Sequence, residues 1–166
     1  LEEYMNEIAA WPAPGVIHFT GEETNRYARI FNWRVYGQQV NVTNLGSVTT
    51  FSFWQPSRYD TALISNKTVI VDAVGQHAGI LRLTNNATLN LTSGWLNVAA
   101  RLDIATGCTS TVSTAGSLIA SNIVNKGMLR LSGSAGLTVS GTFTNTGTLD
   151  VMTWNGTLPG GLVNTG

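Results

Sequence analysis

Apolar and polar side chains alternate along most of this chain, and the alternation returns as one phrase about every twenty residues. The clearest copies are Ile123-Val124-Asn125-Lys126-Gly127-Met128-Leu129-Arg130-Leu131 and Phe143-Thr144-Asn145-Thr146-Gly147-Thr148-Leu149-Asp150-Val151, whose asparagines stand 20 positions apart. Each reads apolar, Asn, any residue, Gly, then an apolar-charged-apolar triplet. Earlier copies run from Leu83 to Leu91, Leu63 to Val71 and Val42 to Val48, and Leu162-Val163-Asn164-Thr165-Gly166 opens another. One turn slips: between Asn85 and Asn125 the apolar residues Leu102, Ile104 and Val112 fit best when Thr106 takes the Asn place, giving steps of 21 and 19.

A unit of twenty residues is too small to bury its own apolar face and must stack on its neighbours. Leu89/Leu91, Leu129/Leu131 and Leu149/Val151 flank Asn90, Arg130 and Asp150, a period of two that predicts strands with one face inward. A second short strand precedes each Asn, as at Leu81/Leu83. A third lies between copies, as at Leu96/Val98 and Leu137/Val139. Three short strands and three corners per repeat predict an all-β fold, a right-handed parallel β-helix, the hand following from the general crossover preference. Asn and Gly suit the corners because both enter the left-handed backbone region at low cost, and stacked asparagines can pair along the ladder.

The first forty residues do not share the repeat. Leu1, Tyr4, Met5 and Ile8 stand at helical spacing with Glu2, Glu3 and Glu7 opposite them, which predicts a short helix from Leu1 to Ala10, ended by Pro12 and Pro14. From Val16 to Tyr36 the chain is aromatic-rich, and residues 1–40 are read as a helix and cap over the first rung, with the β-helix from 41 to 166 in the same domain. Phe51 to Asp60, with Trp54, Pro56, Arg58 and Tyr59, is an insertion that makes the first rung richest in recognition chemistry.

Composition narrows the function. The 166 residues suffice for one domain with a real core. Nine Lys and Arg balance nine Asp and Glu, so no basic surface is available for nucleic acid. The single cysteine, Cys108, excludes an intrachain disulfide framework and is expected in the core. No apolar run approaches the ~18 residues of a membrane span. Low charge with abundant Thr, Asn, Ser and Gly points to a secreted, extracellular protein. The five Asn-x-Ser/Thr sequons, at Asn41, Asn66, Asn86, Asn90 and Asn155, are mostly a by-product of an Asn- and Thr-rich repeat.

Trp54 and Trp95 each fall ten places after a repeat asparagine (Asn44, Asn85) and Trp154 nine places after Asn145, so the three are expected to share a column. Gly75, Gln76 and His77 occupy the same corner between the first two. Indoles stack on the C–H faces of sugars while amides and imidazoles bond their hydroxyls. The candidate ligand-binding residues are therefore Trp54, Tyr59, Gln76, Trp95 and Trp154, set against the plainer reading that the tryptophans plug corners of the core. A catalytic set is not expected. The four aspartates outside the cap (Asp60, Asp72, Asp103, Asp150) form no pair on adjacent rungs, the two histidines are isolated, and no metal-ligand or phosphate-loop spacing calls for a cofactor. The column Ser47, Thr68, Thr88, Thr109, Met128, Thr148 is broken by Met128, which argues against an ice-binding threonine face.

The Asn-x-Gly-x-Leu-x-Leu rungs, the aromatic cap, and Trp54 with Trp95 together resemble the β-helical carbohydrate-binding modules attached to bacterial plant-cell-wall enzymes, particularly xylanases. The resemblance covers Asn41 to Gly166 as architecture and transfers no binding residue by strict motif. It implies noncatalytic binding of xylan or a similar β-glycan, with a glycoside hydrolase domain in the same full-length chain. Repeats such as Gly141 to Gly147 are equally similar to those of bacterial surface adhesins, whose stalks need no exposed Trp.

Overall fold

The computed structural model describes residues 16–21, 25–27, 33–35, 40–42, 46–48 and 56–165. Every regular element among them is a strand, and from Thr61 onward all pairing is parallel, as a β-helix of about five turns requires. The expected helix from Leu1 to Ala10 lies outside the described residues.

Three faces carry the rungs. The first stacks Thr68–Val71, the start of Thr88–Ile104, the start of Thr109–Asn125, Met128–Gly133 and Thr148–Trp154. The second begins at Gln76 and passes through Leu96 and Leu118 to Gly136–Val139. The third stacks Val16–Phe19, Thr61–Ser65, the end of Gln76–Thr84, the ends of the two long strands, Phe143–Asn145 and Leu162–Asn164. Thr88–Ile104 and Thr109–Asn125 each run 17 residues without a break. Two of their corners are therefore bends within a continuous strand, marked by register shifts between Leu91 and Ser93 and between Val98 and Arg101.

Alternation puts the apolar residues inside in straight columns. On the third face Ile17, Ala62, Leu81, Leu102, Ile123, Phe143 and Leu162 follow one another in register. All but Leu162 are buried. On the first face Val69, Leu89, Ser110, Leu129 and Leu149 share a column, so the expected stacking of Leu89 with Leu149 is present. Ser110 interrupts that column, wholly buried between Leu89 and Leu129 with no partner for its hydroxyl. Cys108 is buried, as its surroundings in the sequence predict.

The slip in the repeat is real and has a structural cause. Thr88 pairs with Thr109 and Thr109 with Met128, steps of 21 and 19. The strand before the corner does not slip in the same way, because Leu83 pairs with Ile104 and Ile104 with Asn125. The corner itself shortens from residues 84–87 and 105–108 to Lys126 and Gly127 alone. Counted from the following strand, Asn125 matches Asn85. Counted from the preceding one, it matches Leu83 and Ile104.

The repeat asparagines consequently do two different jobs. Asn66, Asn85 and Asn86 are exposed corner residues in the left-handed region, with φ of 52°, 52° and 60°. Asn125 and Asn145 point inward in the column begun by Ile64, Leu83 and Ile104. Asn125 Nδ2 donates to Asn145 Oδ1 at 2.6 Å and Asn145 Nδ2 to Asn164 Oδ1 at 2.7 Å, forming the expected ladder. The same amides close the short corners by donating to the carbonyls of Thr148 (2.8 Å) and Gly147 (3.0 Å). At Gly127 the need is close approach: a Cβ there would lie 2.3 Å from the Cys108 carbonyl oxygen.

Two expectations about the N-terminal part are corrected. The segment Val42 to Val48 is no rung: Val40–Val42 pairs antiparallel with Gly46–Val48 in a separate two-stranded sheet. Similar letters at similar spacing do not distinguish a hairpin from a solenoid corner, since both need a turn between two short apolar strands. Parallel stacking begins earlier than residue 41, where Val16–Phe19 lies in register with Thr61–Ser65 and Arg26 bridges Ile70. Trp33–Val35 closes that edge antiparallel to Val16–Phe19. Tyr27, fully buried, donates its backbone N–H to the Ile70 carbonyl at 2.8 Å and its hydroxyl to the His77 carbonyl at 2.7 Å.

Candidate functional site

The second face sets the site. Gln76 and Ala78 stand in register with Leu96 and Val98, which are buried, so the intervening His77 and Asn97 point outward with Trp95 beside them. The His77 imidazole meets the Trp95 indole edge to face, with centroids 5.2 Å apart and planes at 86°. Trp95 is half-buried, and its indole N–H makes no hydrogen bond with the described residues. Along the same face the outward column continues His77, Asn97, Ile119, Thr138, and the Trp95 column continues Ser117, Gly136. Next to Trp95 the preceding rung offers Gly75, where a Cβ would meet nothing within 4 Å, and Val74, which is 70% exposed. The indole therefore stands as an outward shelf with small residues around it.

The turn at 57–60 adjoins this face one rung earlier. Asp60 Oδ2 accepts from Ser57 N (2.9 Å) and Ser57 Oγ (2.6 Å), and the Asp60 carbonyl accepts from Gly79 N (2.8 Å) and Ile80 N (3.1 Å). The turn lies flush on the rung, because a Cβ at Gly79 would come within 2.9 Å of the carbonyl oxygens of Arg58 and Asp60. Tyr59 projects from it, 62% exposed, with the Arg58 guanidinium 4.8 Å from its ring centroid.

The sequence-derived site residues separate sharply. Trp95 and Tyr59 present aromatic surface to solvent two rungs apart. Trp54 lies outside the described residues. Gln76 faces inward, 6% exposed, and its Nε2 donates to the Val74 carbonyl at 3.0 Å, so it offers no amide to a ligand on this face. Trp154 does not share Trp95's column: it pairs with Gly133, whereas Trp95 leads through Ser117 to Gly136. The register shifts between Leu91 and Ser93 and between Arg130 and Ser132 displace it. Trp154 packs against the core, covered by Gly156, with its Nε1–H donated to the Ala135 carbonyl at 2.8 Å. It is a corner plug. His77, not Gln76, is the polar partner of the platform, and aligning Gln76-His77-Ala78 with Leu96-Asn97-Val98 at the repeat step of 20 identifies it.

The charged groups are mostly spent on one another. Arg26 pairs with Asp72, Arg82 and Arg101 with Asp103 (3.5 and 2.7 Å), and Arg130 with Asp150 (2.7 Å). With Asp60 holding its turn, every described aspartate has a partner. Among the described residues no three His, Cys, Asp or Glu side chains are grouped as a metal site, and no helix is long and apolar enough to cross a membrane. The threonine column on the first face, Thr68, Thr88, Thr109, Met128 and Thr148, is in register with Met128 inside it.

No protein-family model, curated protein or solved structure matches the chain. The functional reading therefore rests on the chemistry of the site, because a β-helix by itself hosts many functions.

Proposed function

We propose that this protein is a noncatalytic carbohydrate-binding module, secreted, that recognises a plant cell-wall polysaccharide, xylan in the first place, and acts beside a glycoside hydrolase domain in the same full-length chain. The observation that carries the reading is Trp95: an outward indole on a rigid sheet, with a free N–H, His77 at its edge and Asn97 next to it in the strand. A sugar ring stacks its C–H face on the indole, while the imidazole and the Asn97 amide bond its hydroxyls. Tyr59, one rung before His77, extends the surface along the solenoid axis. Rungs repeat at about 4.8 Å, so Tyr59 and Trp95 stand on levels roughly 10 Å apart, a span suited to an extended chain and not to a single small molecule. The rigidity of the strands also favours binding, because little ordering cost remains to be met on association.

The second reading is a structural stalk of a surface adhesin. The in-register Asn ladder and the plugging role of Trp154 favour it, since both serve the solenoid alone. Affinity electrophoresis in native gels containing xylans, glucans or pectins separates the two. Retardation by a β-glycan supports the module, whereas unchanged mobility across the panel leaves the stalk.

A further inference from the structure

Resting on the carbohydrate-binding reading, we propose that Arg58 and Tyr59 form a subsite for a carboxylate carried by the polysaccharide, so that the preferred ligand contains uronic acid units. Arg26, Arg82, Arg101 and Arg130 each lie against an aspartate, and among the arginines whose side chains are described Arg58 alone does not. Its nearest aspartate in sequence, Asp60, is occupied by the backbone N–H and hydroxyl of Ser57. Where Arg26, Arg82, Arg101 and Arg130 are each neutralised by an aspartate, one unneutralised guanidinium on an exposed aromatic is a distinct feature.

The geometry holds that charge in place. The guanidinium lies 4.8 Å from the Tyr59 centroid and donates one N–H to Tyr59 Oη at 2.5 Å. Arginine carries five N–H donors in a planar fork, so a pair remains for the two oxygens of a carboxylate. The backbone beneath is fixed by the Ser57–Asp60 hydrogen bonds and by Gly79 and Ile80 donating to the Asp60 carbonyl. Gly79 follows His77 by two residues, which places the Arg58–Tyr59 pair at the margin of the Trp95 face. A glycan stacked on Trp95 and running along the axis reaches the Arg58 level after two rung spacings, about 10 Å. A neutral sugar can accept only ordinary single hydrogen bonds from the free fork. A uronic acid there forms a charge-assisted, bidentate pair.

Such carboxylates come either from side groups on a neutral backbone or from a polyuronate backbone. The test measures affinity electrophoresis of the wild type, Arg58→Gln and Trp95→Ala against glucuronoxylan, the same polymer with its carboxyl groups reduced, and polygalacturonate. The expected result is that the wild type binds glucuronoxylan roughly fivefold tighter than the reduced polymer, the size of one partly exposed charge-assisted pair. Arg58→Gln should abolish that difference, and raised salt should shrink it. Trp95→Ala should weaken both forms alike. Stronger binding of polygalacturonate, lost in Arg58→Gln, would support the subsite and assign it to a polyuronate backbone. Equal binding of acidic and reduced xylan would overturn the subsite while leaving the glycan reading intact. Acid-dependent binding lost in Arg58→Gln but untouched by Trp95→Ala would support the subsite and overturn the Trp95 platform. Failure to bind all three polymers would overturn both.

Discussion

Asn125 and Asn145, 20 residues apart in sequence, are hydrogen-bonded inside the protein: Nδ2 of the first donates to Oδ1 of the second at 2.6 Å. Each amide also closes its own or the next corner, and Asn145 passes the chain on to Asn164. Above Asn125 the column continues as Ile104, which has no donor, and Asn125 Oδ1 is left buried without a partner. The ladder therefore has a fixed beginning, at the point where the corner loses two residues.

This arrangement makes Asn145 the most sensitive member. Asn145→Ala removes the acceptor for Asn125 and the donor to both Gly147 and Asn164. Loss of stability of about 1–3 kcal/mol is expected for each buried group left unmatched. Urea denaturation of wild type and variant measures it, and Asn66→Ala, at an exposed corner, should cost less.

Leu129 lies fully buried between Ser110 and Leu149. Truncation to alanine in a packed column removes burial and leaves a cavity, so Leu129→Ala should destabilise by about 2–5 kcal/mol in the same assay. No loss would contradict its inward placement.

Ser110 predicts the opposite sign. Its hydroxyl is buried with no partner between two leucines. Removing an unsatisfied buried polar group recovers desolvation cost, so Ser110→Ala should be neutral or more stable by up to about 1 kcal/mol. Thermal unfolding compares the two chains.

Tyr27 predicts a pH limit. Burial, with the Asp60 carboxylate adding to it, raises the phenol above its ordinary value of 10.0. A raised folded value means that the folded state keeps a proton which the unfolded state gives up above pH 10.0, so this contribution to stability is present below that pH and falls as pH rises through it. Tyr27→Phe should be less stable at neutral pH for want of the bond to the His77 carbonyl, and its stability should fall less steeply above pH 10.0. Denaturant midpoints across that range provide the check.

The fold was legible because burial and letters share one period: Leu89 and Leu149 stack as their alternation requires, and the steps of 21 and 19 survive in the register. The asparagines were legible as a repeat but not as two roles, since the same side chain suits an exposed left-handed corner at Asn85 and an inward amide at Asn125. Only the strand before the corner distinguishes them, through Leu83, Ile104 and Asn125. The site was half legible. Counting from the asparagine put Trp154 in the column of Trp95, where it does not lie, because bulges add residues that letter counting cannot locate. Gln76 was misread for a related reason: as a polar residue it suggests solvent, yet its place opposite Leu96 turns it inward.

The central claim, that the Trp95 face binds polysaccharide, is tested most directly by xylan retention of wild type, Trp95→Ala and Trp154→Ala, with circular dichroism on each. The account predicts that Trp95→Ala keeps the wild-type spectrum and loses about 1–3 kcal/mol of binding, by analogy with aromatic stacking on bases. It predicts that Trp154→Ala lowers stability and, where folded, still binds. Retention of xylan undiminished in a folded Trp95→Ala protein would contradict it.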